Sequence, residues 1–185
     1  MNLPRCGRRT DLVAFGIIAI IVVRLFVGAA TPLSADEAYY WLWSKHLAAG
    51  YYDHPPAIAF AIRAGVALFG DTSLGVRLVP FVLSIAASFA VWRAGAILLT
   101  SEYSAALATL FFNLMPMIAI EALVATPDAL EIAAAALLLL ALAKVAETGR
   151  GAWWLAAGVA GGFALLSKYT AFFLGAGGPG NRSDF

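Results

Sequence analysis

The sequence predicts an all-α integral membrane protein, a multi-span helical bundle of about five transmembrane helices with two interfacial helices in the first outer loop. Two observations carry that prediction. The chain is 62% hydrophobic and 12% charged with a mean hydropathy of +0.86, values that exclude an ordinary soluble domain and a disordered one. Its long apolar runs are interrupted by a single polar, aromatic stretch, Ser34 to Pro56, of the kind that lies at a membrane surface. A net charge of +1 without a basic run gives no nucleic-acid signal. Cys6 is the only cysteine, so there is no disulfide framework and no thiolate metal site.

Two readings of the N-terminus compete. Arg5, Arg8 and Arg9 before an apolar run that ends in Gly28-Ala29-Ala30 resemble a cleavable signal peptide. Leu12 to Ala30, however, is long enough to span, and Arg24 interrupts the part nearest a cleavage site. A retained first helix is the preferred reading, with a cytoplasmic N-terminus by the positive-inside bias.

Thr31-Pro32 ends this span, and Ser34 with Glu37 forms a capping box that opens a helix from Asp36 to about Ala49. With Asp36, Glu37, Lys45 and His46 among its aromatics it should lie along the surface. Pro55-Pro56 opens a second short helix, Ala57 to Phe69, about 20 Å long at the helical rise and carrying Arg63 in its middle. Full spans are expected at Gly75 to about Leu99, at Ala105 to about Val124 with a kink at Pro116, at Leu130 to about Ala146, and at Ala156 to Phe173. Residues 1–174 form the membrane domain in this reading, and the glycine-rich stretch 175–185 is a polar tail. The alternation brings Asp36, Glu37, Asp53, His54, Asp128 and Lys168 to one outer face, although they come from four separate parts of the chain.

Each charged residue has a plain explanation beside a functional one. Helix capping accounts for Glu37 and leaves Asp36 free to point elsewhere. Asp53 can cap the helix that begins at the prolines; with His54 it can instead hold a divalent metal or a substrate phosphate. Asp128 follows Thr126-Pro127, a good helix start, and Lys168 can snorkel to headgroups. Arg24 lies roughly 10 Å inside the outer end of its span, where an unpaired charge is costly, so a partner or an anionic ligand is expected. Three cations (Arg24, Arg77, Lys168) and several acids at one face suit an anionic, membrane-borne substrate.

Several motifs carry a resemblance. Asp36-Glu37-Ala38-Tyr39-Tyr40-Trp41, Tyr52-Asp53-His54-Pro55-Pro56, Leu68-Phe69-Gly70-Asp71 and Gly75-Val76-Arg77-Leu78 resemble the opening region of bacterial polyprenyl-phosphate-dependent type-C glycosyltransferases. That group is related to protein O-mannosyltransferases and lipid A aminoarabinose transferases. Thr126-Pro127-Asp128 and Leu165 to Ala171 resemble its later blocks. The resemblance implies the N-terminal portion of a type-C fold. It also implies transfer of a sugar, with inversion, from a polyprenyl-phosphate carrier to a hydroxyl acceptor at the outer face of the plasma membrane. Asp36 resembles the family's catalytic acid and Asp128 its second outer acid. Lys168 resembles the lysine facing the carrier phosphate, and Asp53-His54 stand where a metal or donor-phosphate position falls. Histidine in place of the family's usual lysine there supplies no fixed positive charge near neutral pH. Glu37, His54, Arg24 and Arg77 complete the expected substrate and phosphate contacts. Family members are several times longer, so the 185 residues are expected to be inactive alone. The rival expectation is a transporter or flippase-like subunit for an anionic lipid-linked substrate, which would spread charges through the membrane depth around broken helices.

Overall fold

The structure, a computed structural model, describes residues 7–176, and all regular structure among them is helical. In chain order the elements are α1 (Arg8–Ala30), α2 (Ala35–Lys45), α3 (Ala57–Phe69), α4 (Ser73–Leu98), α5 (Glu102–Leu114), α6 (Pro116–Glu121), α7 (Pro127–Thr148), α8 (Ala152–Ser167) and, after a 3-10 turn at Tyr169–Ala171, α9 (Phe172–Ala176). Three of them, α1, α4 and α7, are long and apolar enough to cross a membrane, and α3 and α8 are shorter apolar helices.

Local chemistry sets most of the boundaries. The Thr72, Ser101 and Thr126 side chains each accept a backbone N–H in the first turn of α4, α5 and α7. Gly149, at φ 64, ends α7 in the left-handed conformation that L side chains avoid. The expected capping box forms at α2, with the Ser34 hydroxyl on Glu37 N and the Glu37 carboxylate on Ser34 N.

Helix-to-helix packing relies on small residues, which let backbones approach closely. Ala87 and Ala90 of α4 meet Ala133 and Ala136 of α7, and Ala134 of α7 meets Ala164 of α8. The tightest crossing is between α3 and α4. A Cβ on Gly65 would lie 2.1 Å from the Gly75 carbonyl oxygen, so a methyl group there cannot be accommodated without moving backbone. At one end of the bundle Tyr40, Trp43, Ile58, Ile62, Val76 and Leu130 close a larger apolar core beneath the polar rim.

Four expectations are corrected. The span expected over Ala105 to Val124 is broken rather than kinked: α5 stops at Leu114, and Pro116, which has no N–H to continue the ladder, starts a separate six-residue helix. The last span, expected over Ala156 to Phe173, is a 16-residue helix that starts earlier and stops at Ser167, because Lys168 leaves it with extended backbone. Helix α2 stops at Lys45 rather than near Ala49; the Trp43 carbonyl takes the His46 N–H, and the Tyr51 hydroxyl lies 3.1 Å and 3.0 Å from the carbonyls of Trp43 and His46. Asp53 does not cap α3, whose N-cap is Pro56 with no side-chain bond. Helix α2 is tied to the turn after α3 by Asp71, which accepts from Trp41 Nε1 (2.8 Å) and pairs with Lys45. These bonds, the Lys45 one foremost, hold the Asp71 carboxyl below its usual range. Residues 175 and 176 of the expected polar tail close α9; residues 177–185 lie outside the described residues, as do Arg5 and Cys6.

Candidate functional site

The end of the bundle where α1 stops and α7 starts contains a closed ionic clasp. Glu37, 0% exposed, and Arg77, 6% exposed, face each other from α2 and α4. Arg77 Nε and Nη2 each donate to one Glu37 carboxylate oxygen at 2.6 Å, the bidentate fork that guanidinium geometry favours. Its remaining N–H groups go to the Gly28, Thr31 and Pro32 carbonyls and the Thr31 hydroxyl. Glu37 also accepts the N–H groups of Ser34 (2.9 Å) and Ala125 (2.9 Å). Burial pushes the Glu37 carboxyl up, but the bonds from Arg77, Ser34 and Ala125 outweigh it and leave the group below its ordinary value. Both residues were expected to bind substrate or phosphate. The structure turns them inward and commits their polar atoms to protein, fixing the end of α1, the start of α2 and the 122–126 connection to α4.

Arg24 is also buried and also satisfied by protein. Its Nη1 donates to the Asn113 side-chain oxygen at 2.7 Å and its Nη2 to the Asn113 carbonyl at 2.5 Å. The expected partner is therefore a neutral amide and a helix end, and Arg24 is not at the open rim.

The remaining expected residues do gather at that rim. Asp36 and Asp53 are exposed, and His54 is half-buried. Lys168 Nζ reaches Asp128 Oδ1 at 2.6 Å across 40 residues of sequence, with each side chain 26% exposed. Extended backbone at Lys168 (φ −152, ψ 139), just beyond the end of α8, is what releases its side chain toward α7. Tyr40 stands between these groups, its ring 5.9 Å from that of His54. Burial first, then the charges of Asp36, Asp53 and Asp128, push its phenol up to about 12. Tyr40 therefore stays a protonated hydroxyl in the field of three carboxylates. Behind it Trp43 packs edge-on at 5.1 Å and stacks parallel on Tyr51 at 4.3 Å.

Reading the residues alone did not single out Tyr40, Glu121, or the Glu131–Thr170 bond (3.2 Å). A signal existed for two of them. Tyr40 is one turn after Asp36 and Glu131 nearly one turn after Asp128, so each shares a helix face with an acid already singled out. Glu121 accepts from the Thr126 hydroxyl and so braces the cap of α7. Among the described residues no group of three or more His, Cys, Asp or Glu side chains is arranged to hold a metal ion. Asp53 and His54 thus offer at most two side-chain ligands, and an ion between them would take its remaining ligands from backbone, water or substrate.

A helical bundle with three helices of spanning length and a polar rim of carboxylates and one lysine fits one class of protein. Residues 53–178 match the family described as dolichyl-phosphate-mannose-protein mannosyltransferase, and the chain belongs to that family of membrane glycosyltransferases. The chain is also 30% identical over 176 residues to a lipid A galacturonosyltransferase of Rhizobium johnstonii, a similarity that covers 95% of this chain and 36% of that protein. The chain therefore spans just over a third of the length of that relative. The longer match takes in Asp36, which precedes the family match. No solved structure matches the chain.

Proposed function

We propose that this chain carries part of the active site of an inverting glycosyltransferase that moves a sugar from a polyprenyl-phosphate carrier to a hydroxyl acceptor at the extracytoplasmic face of the plasma membrane. The observation that carries the reading is the rim itself: Lys168 held against Asp128 at 2.6 Å, with Asp36 and Asp53 exposed. Inverting transfer needs a base aligned on the incoming hydroxyl and a cation beside the departing phosphate. Asp36, exposed and free of the capping role its neighbour performs, is the base or aligning carboxylate. Lys168 is the phosphate partner, parked on Asp128 until the carrier arrives. His54 is the other rim group within reach of a phosphate. A divalent ion at Asp53 and His54 would be completed by donor oxygens.

Support for a lipid carrier comes from a recess of about 570 Å³ between α4, α7 and α8, lined by Leu83, Leu137, Leu140 and Phe163 among others. It runs along the helix whose end releases Lys168, a direction that suits a phosphate at the rim and an isoprenoid tail in the membrane. In this reading the N-terminus is cytoplasmic, and the 185 residues show no turnover by themselves. The transporter reading gains one observation, the α5–α6 break beside buried Arg24. Family membership and the clustering of acids at one rim favour transfer chemistry.

The test is Asp36→Asn in the longest natural form of the protein with an identified donor. Transfer should fall by about 100-fold or more with donor affinity retained, the range for losing a general base. Normal transfer by this variant would reject the assignment.

A further inference from the structure

Arg24 is 6% exposed in a helix of spanning length, and no acid pairs with it among the described residues. A guanidinium in that setting needs a negative partner, and the one it has is the C-terminal end of α5. The Asn113 carbonyl that accepts Nη2 is the group a continuous helix would have bonded to the N–H of Met117. The break at Met115 frees it and exposes the negative end of the α5 dipole. Asn113 is itself anchored, its amide donating to the Thr109 carbonyl (3.0 Å) and to the Ser88 hydroxyl (3.0 Å). The charge therefore stabilises the broken form of the segment over the straight one.

The break leads directly to the rim. From Pro116 the short α6 ends at Glu121, which binds the Thr126 hydroxyl; Thr126 in turn caps α7 one residue before Pro127-Asp128. The Ala125 N–H docks on Glu37. Run on as straight helix, residues 115–124 would rise about 15 Å along the α5 axis, and the long-range contact at stake is that of the Ala125 N–H with Glu37. A narrow crevice at the break is lined by Arg24, Asn113, Ile118 and Glu121.

We propose that Arg24 is a positioning residue: by capping the broken end of α5 from α1, it fixes the 122–126 connection and so the placement of Asp128 and its partner Lys168. The proposal rests on the rim being the transfer site, as argued above. It is tested in the reconstituted 185-residue chain with Cys6→Ser and a reporter Val124→Cys read by a membrane-impermeant maleimide. Binding of a long-chain polyprenyl phosphate is measured alongside.

Arg24→Gln should speed labelling at position 124 about tenfold, as expected for a local opening, and should weaken polyprenyl-phosphate binding severalfold. Arg24→Lys, which keeps a cation on the carbonyl, should restore both toward the original values. A second reporter, Ile62→Cys in the core of α3, should stay protected in every variant. An unchanged rate at position 124, parallel exposure of position 62, or no rescue by lysine would each overturn the proposal. Faster labelling with lysine rescue but unaltered polyprenyl-phosphate binding would uphold the positioning role and reject the rim as the carrier site.

Discussion

Asp36 and Glu37 are neighbours in the chain, yet they belong to different machines. Glu37 is 0% exposed and takes hydrogen bonds from Arg77, Ser34 and Ala125. Asp36, one residue earlier on the same helix, is exposed. The 100° step between successive helical residues is enough to send one carboxylate to a saturated clasp and the other to an open rim. The same contrast separates the cations: Arg77 has committed its N–H groups to protein, whereas Lys168 has one partner and partial exposure. Saturation distinguishes the groups that hold the fold from those left free to meet a ligand.

The largest effect is expected where that saturation is broken. Removing one partner of the clasp, by Glu37→Ala or Arg77→Ala, should cost about 3–5 kcal/mol of stability because it leaves a buried charge unpaired. Asp36→Ala should stay within about 0.5 kcal/mol. Thermal unfolding in a fixed detergent compares them, and equal losses would erase the distinction. The clasp also has a pH signature. The Glu37 carboxyl lies below its ordinary 4.5 in the folded chain. Its contribution is therefore complete above that value and is lost as pH falls through the lowered one. An acid-melting series should steepen below the ordinary carboxylate range, and Glu37→Gln should flatten that part of the curve.

On the open side, Lys168→Met should weaken polyprenyl-phosphate binding at least tenfold, given about 1.5–3 kcal/mol for a hydrogen bond to a charged group. Melting temperature should fall less than in the clasp variants, since each side chain of this pair is 26% exposed whereas those of the clasp are buried. A variant that loses stability instead of affinity would move Lys168 to the structural class. The smallest effect is expected at Tyr40→Phe, which removes one hydroxyl donor, worth about 1 kcal/mol, and keeps the ring packing on Trp43. Alkaline titration of tyrosine absorbance provides the check: one residue should ionise near 12 in the original chain and be missing from the variant.

Features set by neighbouring residues were legible in the sequence. The Ser34–Glu37 box, the Thr126-Pro127 start and the extent of α3 at Ala57–Phe69 all follow from short-range chemistry. What escaped depends on partners far along the chain. The Glu37–Arg77 pair spans 40 residues and the Arg24–Asn113 contact 89. No local pattern reveals that these charges are already satisfied. Pro116 announced a disturbance, but whether it bends a helix or ends one depends on distant partners, here Arg24, which binds the Asn113 carbonyl at the end of α5. The gathering of Asp36, Asp53, Asp128 and Lys168 was foreseeable because alternation of spans alone delivers them to one end. The central place of Tyr40 was not, since a tyrosine at an interface is unremarkable until its neighbours are known.

The contact between Gly65 and Gly75 sets how closely α3 and α4 cross. There is no room for even a methyl group between those backbones, so any side chain larger than hydrogen at position 65 would push α3 away from the start of α4. The junction after α8 is held differently: Lys168 and Thr170 reach α7 through side-chain bonds to Asp128 and Glu131, contacts that can be exchanged one at a time.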